Sequence, residues 1–592
     1  MGGSRLAVAR PDVDEAPRAA TRKVTLPLPA RRLRTGHPPA PGALGALSAE
    51  HLVVAAAVVV GAAERWWAGT HSIGTLTSDG GVIGLMGIQL LHHGRTTAYM
   101  WGQAYGGSLE AVLTAAVFAL AGVGTGQLLA TTALTSALVA LALWRAGRRV
   151  VGETAARLGA LVWWVLPATY VWRALKPGGT YMAGLALALC AVWALARIRS
   201  GERSWKMAAL AGLFAGLAAW SSPMSLQLLV PAGIWAFRDI LRLGRRMSAV
   251  VAGAVVGSAP AIWFGLRHAW ANLRVPGRHH LFVGYLSRFL QFFRVEVPLA
   301  LSLRFDGSLE WRLGWAGPVL AVGAELGFVA VLVAVVGKRS SRCVLPVLTL
   351  VVLPLLFAFN VLARHVGQSR YVEFGMTMGM LLFGVGLENA SRAAARRWRR
   401  SGGGRSLVVG LGGRRWARSA AAIATLSAGL ALLAALGFST LTAEPASALV
   451  GLPAGGVAMP PNDGALLSLL AEHHVRDAYA PYWVAYRVTF ETRGASDVAP
   501  YTNDRYPPLG RKVALSADPS YLFVSSSPSL PAFLHWCEEH GVGLHVWRQG
   551  DFAVVRPDHR LLEGEVPQAV LRPGRRHLGR GLVGRFHESA GH

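Results

Sequence analysis

The sequence is poor in cysteine and poor in charge. Its three cysteines, Cys190, Cys343 and Cys537, lie far apart in a chain of 592 residues and form no CxxC pair. That spacing indicates neither a disulfide framework nor a zinc site built from cysteine. Charged residues make up 15% of the chain, whereas a soluble protein carries about 25%. An ordinary soluble enzyme is therefore excluded as a description of the whole chain.

Acidic residues are scarce as well. The chain has 31 Asp and Glu against 59 Lys and Arg, a net charge of +28. Nucleic-acid-binding proteins show such an excess, but here the basic residues cluster in short segments between apolar runs, which is the positive-inside signature of a membrane protein. These segments are 145–157, 197–206, 238–246, 337–342 and 392–418. We therefore expect a membrane as partner and no nucleic acid.

Long apolar runs recur, many of them close to the ~20 residues that a helix needs to cross a bilayer. Residues 1–43 are rich in Arg, Pro and Ala and are expected to form a disordered, basic, cytoplasmic N-terminus. If this segment and the basic segments are all cytoplasmic, an even number of crossings separates neighbours. This rule predicts a polytopic α-helical membrane protein with about 11 transmembrane helices. The predicted spans lie near 45–63, 125–144, 158–173, 180–196, 207–221, 224–237, 247–266, 317–336, 343–362, 371–390 and 419–440.

The first interval holds a third apolar stretch, SLEAVLTAAVFALAGV at residues 108–123. A crossing there would place the basic segment 145–157 outside. We therefore interpret it as an interfacial or re-entrant helix within a large first outer loop, residues 64–124. Irregular backbone at membrane depth is tolerated mainly where it is buried in protein or lines a cavity. The transmembrane domain as a whole is predicted to span residues 44–440.

The composition changes after the last span. Residues 441–570 are predicted to form an extracytoplasmic α/β domain, followed by a disordered basic tail at 571–592. GALLSLLAEHHV and SLPAFLHWCEEHG read as helices, the second ending at Gly541, and YLFVSS, LHVWRQ and DFAVVRP read as strands. The sequence has no Walker loop, GxSxG or HExxH motif, and the GLGG run at 410–413 lacks the βαβ setting of a dinucleotide site.

This layout resembles the C-type (GT-C) glycosyltransferases, including the family 39-like group with protein O-mannosyltransferases and lipid A aminoarabinose transferases. The local matches are SDGGVIGLM, WGQAYGGSLEAVL, RALKPGGTYMAG and QSRYVEFG. The resemblance implies an enzyme that moves a sugar from a polyprenyl-phosphate lipid to a glycan, lipid or protein acceptor. The reaction would take place at the outer face of the plasma membrane, with inversion at the anomeric carbon.

Asp79 is the candidate catalytic base of such a reaction. It has no Lys or Arg within ten residues on either side, and we expect a base that is not held by an arginine. A carboxylate in reach of an acceptor hydroxyl can take its proton. The alternative is structural, because Ser78 or Asp79 would also suit the N-cap of a helix over VIGLMGIQLL. Glu110 is a second catalytic candidate, with electrostatic capping of its own helix as the alternative.

Cations at the outer ends of predicted spans are candidates for holding the donor phosphate. Arg370, in the Arg-Tyr pair of QSRYVEFG, is ranked first and Lys176 second, with Arg173 and Arg364 behind them. The alternative for each is a side chain that merely reaches the headgroups. Glu373 is expected to pair with Arg370 or Arg364. Candidate contacts to donor or acceptor are Tyr99, Trp101, Tyr105 and His268.

The sequence departs from the family pattern in one respect. Many members carry a second acid, but Gly80 follows Asp79 and the later KPGGTY segment has no acid. One carboxylate does not favour a divalent cation, so we expect no cofactor and no required metal. Two other functions remain open: a transporter or flippase for a lipid-linked sugar, although no repeat relates the halves, and a non-catalytic scaffold.

Overall fold

The structure is a computed structural model of the full chain. It describes residues 49–71, 76–165, 168–178, 181–274, 284–305, 309–338, 341–359, 369–400, 460, 462–562 and 564–571. The predicted disordered termini, the predicted eleventh span near 419–440 and the candidate Arg364 lie outside these residues.

The described residues from 49 to 400 are almost entirely helical. The helices are α1 (Ala49–His71), α2 (Ser78–His93), α3 (Leu109–Ala121), α4 (Thr125–Val150), α5 (Glu153–Val165), α6 (Ala168–Arg173), α7 (Tyr181–Arg199), α8 (Trp205–Ser221), α9 (Leu226–Leu241), α10 (Met247–Gly257), α11 (Ala259–Arg267), α12 (Tyr285–Gln291), α13 (Val297–Ala300), α14 (Ala316–Lys338), α15 (Val344–Ala358) and α16 (Glu373–Arg400). Each predicted span before residue 400 falls on one or two of these helices.

Fewer helices meet the length and composition of a complete crossing. Among the described residues these are Thr125–Val150, Tyr181–Arg199 and Ala316–Val333. The pair Gly244–Gly257 and Ala259–Arg267, bent by 61°, makes a fourth if it is one broken span. These apolar helices are typical of a membrane protein, while the number of eleven crossings stays a prediction.

Helix α3 has the short length that the sequence suggested. Its 13 residues extend about 20 Å at 1.5 Å per residue, less than the ~30 Å of a bilayer core. It ends at Gly122, whose φ of 82° suits a residue without a side chain. The helix packs against α2 and α4. It therefore belongs to the same structural element as Asp79.

The basic segments meet in pairs at the ends of helices. Asp239 of α9 binds Arg199 at the end of α7 (2.9 Å) and Arg242 (3.4 Å), which joins segments 197–206 and 238–246. A Cβ on Gly152 would lie 3.8 Å from a guanidinium nitrogen of Arg342, which joins segments 145–157 and 337–342. Each pair of basic segments therefore shares one end of the helical bundle.

The C-terminal part contains a five-stranded mixed sheet with helices on its faces. Its elements are α17 (Gly464–Glu472), β1 (Asp477–Ala480), α18 (Tyr482–Glu491), β2 (Asp497–Pro500), α19 (Pro507–Ala514), β3 (Ser520–Val524), α20 (Ser529–Glu539), β4 (Leu544–Gln549), β5 (Phe552–Pro557) and α21 (Gln568–Leu571). The strand order is β2-β1-β3-β5-β4, with β1 parallel to β2 and β3, and β5 antiparallel to β3 and β4. The predicted helices and the three predicted strands are confirmed; β1 and β2 were missed.

The side chains of β3 alternate between the two faces of this sheet. Leu522 and Val524 are buried with residues of α17 and α18, and Tyr521 and Phe523 are buried with Phe533 of α20. Successive side chains of a strand point to opposite faces. The central strand is therefore covered on both sides.

Helix α18 packs directly on α2, and glycines permit the close approach. A Cβ added to Gly81 would lie 2.5 Å from the carbonyl oxygen of Tyr486, and one on Gly84 would lie 2.4 Å from the Phe490 ring. Trp101 stacks on Tyr506 with ring centroids 4.0 Å apart, an arrangement worth about 0.5–1.5 kcal/mol beyond its buried area. The sheet domain is thus packed onto the element that carries Asp79.

A buried arginine strengthens this junction. Arg487 of α18 and Asp463 form an ion pair in which neither side chain is exposed. Arg487 also donates a hydrogen bond of 3.4 Å to the carbonyl oxygen of Leu76, just before α2. Glu491 hydrogen-bonds to Asp463. Burial raises the pKa of both carboxyls above their ordinary values.

The glycine contact predicts a specific sensitivity. Gly81→Ala should lower the free energy of unfolding by about 1–3 kcal/mol, because its methyl group meets backbone of α18 that cannot move aside. Gly233→Ala in α9, with open space around its Cβ, is the matched control and should be neutral or stabilising. Thermal unfolding of the detergent-solubilised protein measures both. Equal melting temperatures for the two variants would contradict the close packing.

The buried carboxyl pair predicts that stability falls as pH rises. Burial raises the pKa of Glu491 and of Asp463 in the folded protein, so both groups bind more protons folded than unfolded. Their stabilisation is therefore complete below the unfolded pKa and is lost as the pH rises through the raised folded pKa. We expect a melting temperature about 5 °C lower at pH 8 than at pH 5. Glu491→Gln should flatten this dependence, and Glu472→Gln, at an exposed position of α17, should not. A wild-type melting temperature that rises over this range would refute it.

Candidate active site

The first turn of α2 presents Asp79 without using it as a cap. The N-cap is Thr77, whose hydroxyl oxygen accepts a hydrogen bond of 3.1 Å from the backbone N–H of Gly80. The hydroxyl of Ser78 donates instead to the carbonyl oxygen of Tyr482. The predicted capping role of Ser78 or Asp79 is therefore wrong. Asp79 still lies where the helix dipole favours a carboxylate.

Asp79 has two partners from the sheet domain. The hydroxyl of Tyr482 donates a hydrogen bond to its Oδ1, and the Arg505 guanidinium lies 3.6 Å from the same oxygen. The expectation of a base without an arginine beside it is wrong, because the arginine comes from a distant part of the chain. Both contacts use Oδ1, so within the part of the chain that the structure describes Oδ2 keeps its lone pairs for another partner. The Asp79 side chain is 25% exposed.

The sheet topology explains how these two partners arrive together. Tyr482 follows the end of β1 by two residues, and Arg505 lies in the loop after β2. Because β1 and β2 are neighbouring parallel strands, their carboxyl ends open on the same edge, the usual location of ligand sites in open α/β sheets. The candidate site therefore combines that edge with the first turn of α2.

The loop that carries Arg505 is held by Tyr486. Its hydroxyl donates to Asp504 (2.7 Å) and accepts from the backbone N–H groups of Arg505 (2.7 Å) and Tyr506 (3.0 Å). Gly102, with a φ of 66°, passes so close that a Cβ there would lie 2.7 Å from the Cα of Arg505. These contacts fix the backbone from which the guanidinium projects.

Arg370 joins the same site from the membrane domain. Its guanidinium donates to the hydroxyl of Tyr371 (3.2 Å), and it interacts electrostatically with Asp79 and Tyr181. Burial disfavours its charge, but these neighbours outweigh the burial and raise the pKa of Arg370 above its ordinary value. Tyr105 interacts electrostatically with Asp79, Arg370 and Arg505 alike. The structure thus brings the first-ranked cation and the candidate base into one cluster.

Arg370 and Arg505 can each donate one further hydrogen bond. The Nε–H groups of Arg370 and Arg505 are buried and have no hydrogen-bond acceptor among the described residues. Asp79 and Tyr482 outweigh the burial of Arg505 and raise its pKa as well. A buried donor without an acceptor costs about 1–3 kcal/mol. Two fixed cations around one carboxylate leave a net positive site, which suits an anion with several acceptor oxygens.

Lys176 and Arg173 are the other candidate cations that the structure describes. Lys176 is in the turn after α6, where a ring carbon of Pro177 lies 3.5 Å from a Cβ position on Gly80. Arg173 is the electrostatic partner of Glu373. The pairing expected between Glu373 and Arg370 is not observed, since neither carboxylate oxygen of Glu373 has a hydrogen-bond partner among the described residues.

The aromatic candidates divide between two places. Trp101 and Tyr105 adjoin Arg505 through the Tyr506 stack and through electrostatic contact. Tyr99 instead packs edge-on against Phe264, at 4.9 Å. His268 stacks on that same phenylalanine at 4.1 Å. Tyr99 and His268 therefore help to position the segment that follows α11.

Glu110 is buried between helices α3 and α4. Its side chain is 1% exposed and accepts a hydrogen bond of 3.2 Å from Thr132. Its catalytic role stays a prediction, as does the absence of a required metal. Among the described residues no group of three or more His, Cys, Asp or Glu is placed to hold a metal ion.

Comparison with solved structures identifies the fold. The chain is similar to ArnT from Cupriavidus metallidurans bound to undecaprenyl phosphate, with a TM-score of 0.54, 14% identity, and coverage of 86% of this chain and 98% of that one. The apo form of that protein gives a TM-score of 0.52 with the same identity. The archaeal oligosaccharyltransferase AglB from Archaeoglobus fulgidus, at 0.45 and 11% identity over 88% and 77% of the two chains, is too distant to support an argument.

No protein-family model and no curated protein matches the sequence. The likeness to ArnT therefore shows a fold, the GT-C fold that the layout of the sequence predicted. Together with the apolar helices it makes this chain a membrane protein.

The contact between Asp79 and Arg505 predicts energetic coupling across the junction. Asp79→Asn and Arg505→Gln combined should destabilise less than the sum of the single variants, with a coupling energy of about 0.5–3 kcal/mol, because removal of either group already breaks the pair. Asp79→Asn combined with Arg548→Gln, at an exposed position of β4, is the control and should be additive. Thermal unfolding of wild type, the three single variants and the two double variants gives both coupling energies. Additivity at Asp79 and Arg505 would refute the contact.

Proposed function

We propose that this protein is an integral membrane glycosyltransferase that moves a sugar from a polyprenyl-phosphate donor to an acceptor hydroxyl. The observation that carries the proposal is the cluster at the first turn of α2. Asp79 interacts there with both Arg370 and Arg505, and among the described residues one of its carboxylate oxygens and a buried N–H of each arginine have no hydrogen-bond partner. The ArnT fold supports it, and the ArnT structure holds undecaprenyl phosphate.

The donor phosphate is assigned to the two arginines. A phosphate oxygen accepts from guanidinium N–H groups with the shortest and strongest of protein hydrogen bonds. Arg370 lies three residues before α16, on the membrane-helix side of the site. Lys176, next to the Pro177 that lies against Gly80 of α2, adds a further positive charge. Arg173 and Arg364 stay secondary candidates for this role.

Asp79 acts as the general base. The acceptor oxygen forms a bond to the anomeric carbon while its proton passes to Oδ2 of Asp79. The bond from the anomeric carbon to the phosphate oxygen breaks, and the polyprenyl phosphate leaves with the electron pair. Arg370 stabilises the developing charge on that phosphate. A single displacement with attack from the opposite side gives inversion at the anomeric carbon.

The reaction is assigned to the outer face of the plasma membrane. The site lies at the amino ends of α7 and α16, whereas their other ends carry Arg197 and Arg199, and Arg392. Basic ends are cytoplasmic by the positive-inside rule. The N-terminus is then cytoplasmic and the sheet domain extracytoplasmic.

A transporter or flippase would share the membrane helices and the cations. It has no need of a hydrogen-bonded carboxylate with one oxygen open, supplied jointly by two parts of the chain. The cluster therefore favours the transferase.

Asp79→Asn tests the base directly. We expect transfer of labelled sugar from polyprenyl-phosphate donors to endogenous acceptors to fall about 100-fold or more, the usual contribution of a general base. Asn keeps the size of the side chain, and Thr77 still caps α2, so the variant should fold. Asp518→Asn, at an exposed position of the sheet domain, should transfer like wild type.

Two negative results of the transfer assay have different meanings. Equal transfer by wild type and Asp79→Asn would make Asp79 structural and move the search for the base to Glu110. No transfer by wild type with any donor would overturn the enzyme itself, and flipping of the labelled lipid would then be measured.

A further inference from the structure

An open cleft adjoins the candidate site on the side of the sheet domain. It has a volume of about 620 Å³ and lies between the loop that follows α2 and the segment that begins α19. Its functional groups come from Gln89, Arg95, Thr96, Thr97, Trp101 and Arg505. Small-molecule sites occupy clefts of about 300–1,000 Å³, so this cleft has room for a ligand.

The lining has a definite chemical character. It offers two guanidinium groups, the hydroxyls of two threonines and of Tyr506, an amide and an indole, and no carboxylate among the described residues that form it. Gly94, with a φ of 63°, ends α2 in a left-handed turn, after which Arg95 is exposed to the cleft. Hydroxyl and amide groups match a polyhydroxylated ligand, and paired arginines match a carboxylate or phosphate on it.

The position of the cleft separates it from the donor carrier. Arg505 lines the cleft and also contacts Asp79, so one side chain joins the cleft to the base. Arg370 and Tyr181, which stand at the ends of membrane helices, are not among its lining residues. A ligand in the cleft therefore lies between the loop after α2 and the sheet domain, on the Arg505 side of Asp79, and away from Arg370.

We propose that the cleft binds the acceptor, and that the acceptor is an acidic glycan. This inference rests on the proposed transferase function. The glycan places one hydroxyl at Oδ2 of Asp79, with its carboxylate or phosphate group bound by Arg95. Arg95 is thus a specificity-determining residue for the acceptor and has no part in holding the donor.

Competition by small glycans tests the proposal in the transfer assay with wild-type membranes. The probes are cellobiouronic acid and cellobiose, two disaccharides that differ by one carboxylate. We expect the acid to halve transfer at a concentration about tenfold below that of cellobiose, since one charge-assisted contact is gained. Arg95→Gln should remove this preference and weaken transfer to the endogenous acceptors, and Arg548→Gln, an arginine outside the cleft, should change neither. Excess donor lipid should not relieve the inhibition.

Each other outcome overturns the inference. Equal inhibition by the two disaccharides, or a preference that survives in Arg95→Gln, would exclude acid recognition by the cleft. Relief of inhibition by excess donor would assign the cleft to the donor sugar. If wild type transfers no sugar from any donor, the proposed function fails and the acceptor assignment fails with it. If wild type transfers and only the preference is missing, the acceptor assignment alone is wrong.

Discussion

The close packing of α2 on α18 is the constraint on which the site depends. Two glycines of α2 bring its first turns against the backbone of Tyr486 and the ring of Phe490. Only at that separation can Tyr482 and Arg505, each following a parallel strand, reach Oδ1 of Asp79. Side chains on α2 would move the sheet domain outward and leave the carboxylate without either partner. The geometry of the site is therefore a consequence of helix packing between the two parts of the chain.

Three buried arginines near the junction differ in the acidic residues that accompany them. Arg487 is fully buried and is matched by Asp463, so its charge is satisfied within the fold. Removing one partner of such a pair typically costs about 3–5 kcal/mol, which suits a structural element. Arg370 and Arg505 are also largely buried, but the acid that acts on both of them is Asp79 at the candidate site. All three arginines keep a buried Nε–H with no acceptor among the described residues, so it is the position beside Asp79 that distinguishes Arg370 and Arg505 from Arg487.

The sequence predicted those features that depend on local pattern. Apolar runs located the membrane helices, and strand β3, strand β5 and helix α20 followed from alternation and from a glycine at position 541. Strands β1 and β2 have four residues each, too few for alternation to mark them. The partners of Asp79 were missed for a different reason. The sequence around Asp79 has no arginine, but this does not exclude a contact that tertiary packing makes with a distant arginine. The local feature that could have suggested Arg505 was the polar run Asp504-Arg505-Tyr506 in a loop of the sheet domain.

The residues of the candidate site come from two parts of the chain. Asp79 and Arg370 belong to the helical part of the chain, while Tyr482 and Arg505 belong to the sheet domain. Arg505 is shared by the carboxylate and by the cleft, so under the proposed function it lies where donor and acceptor meet. Changes in the loop after α2 can alter the cleft without replacing Asp79, Arg370 or the residues that hold Asp79. Under the proposed function, the same chemistry can therefore be kept while this loop changes what receives the sugar.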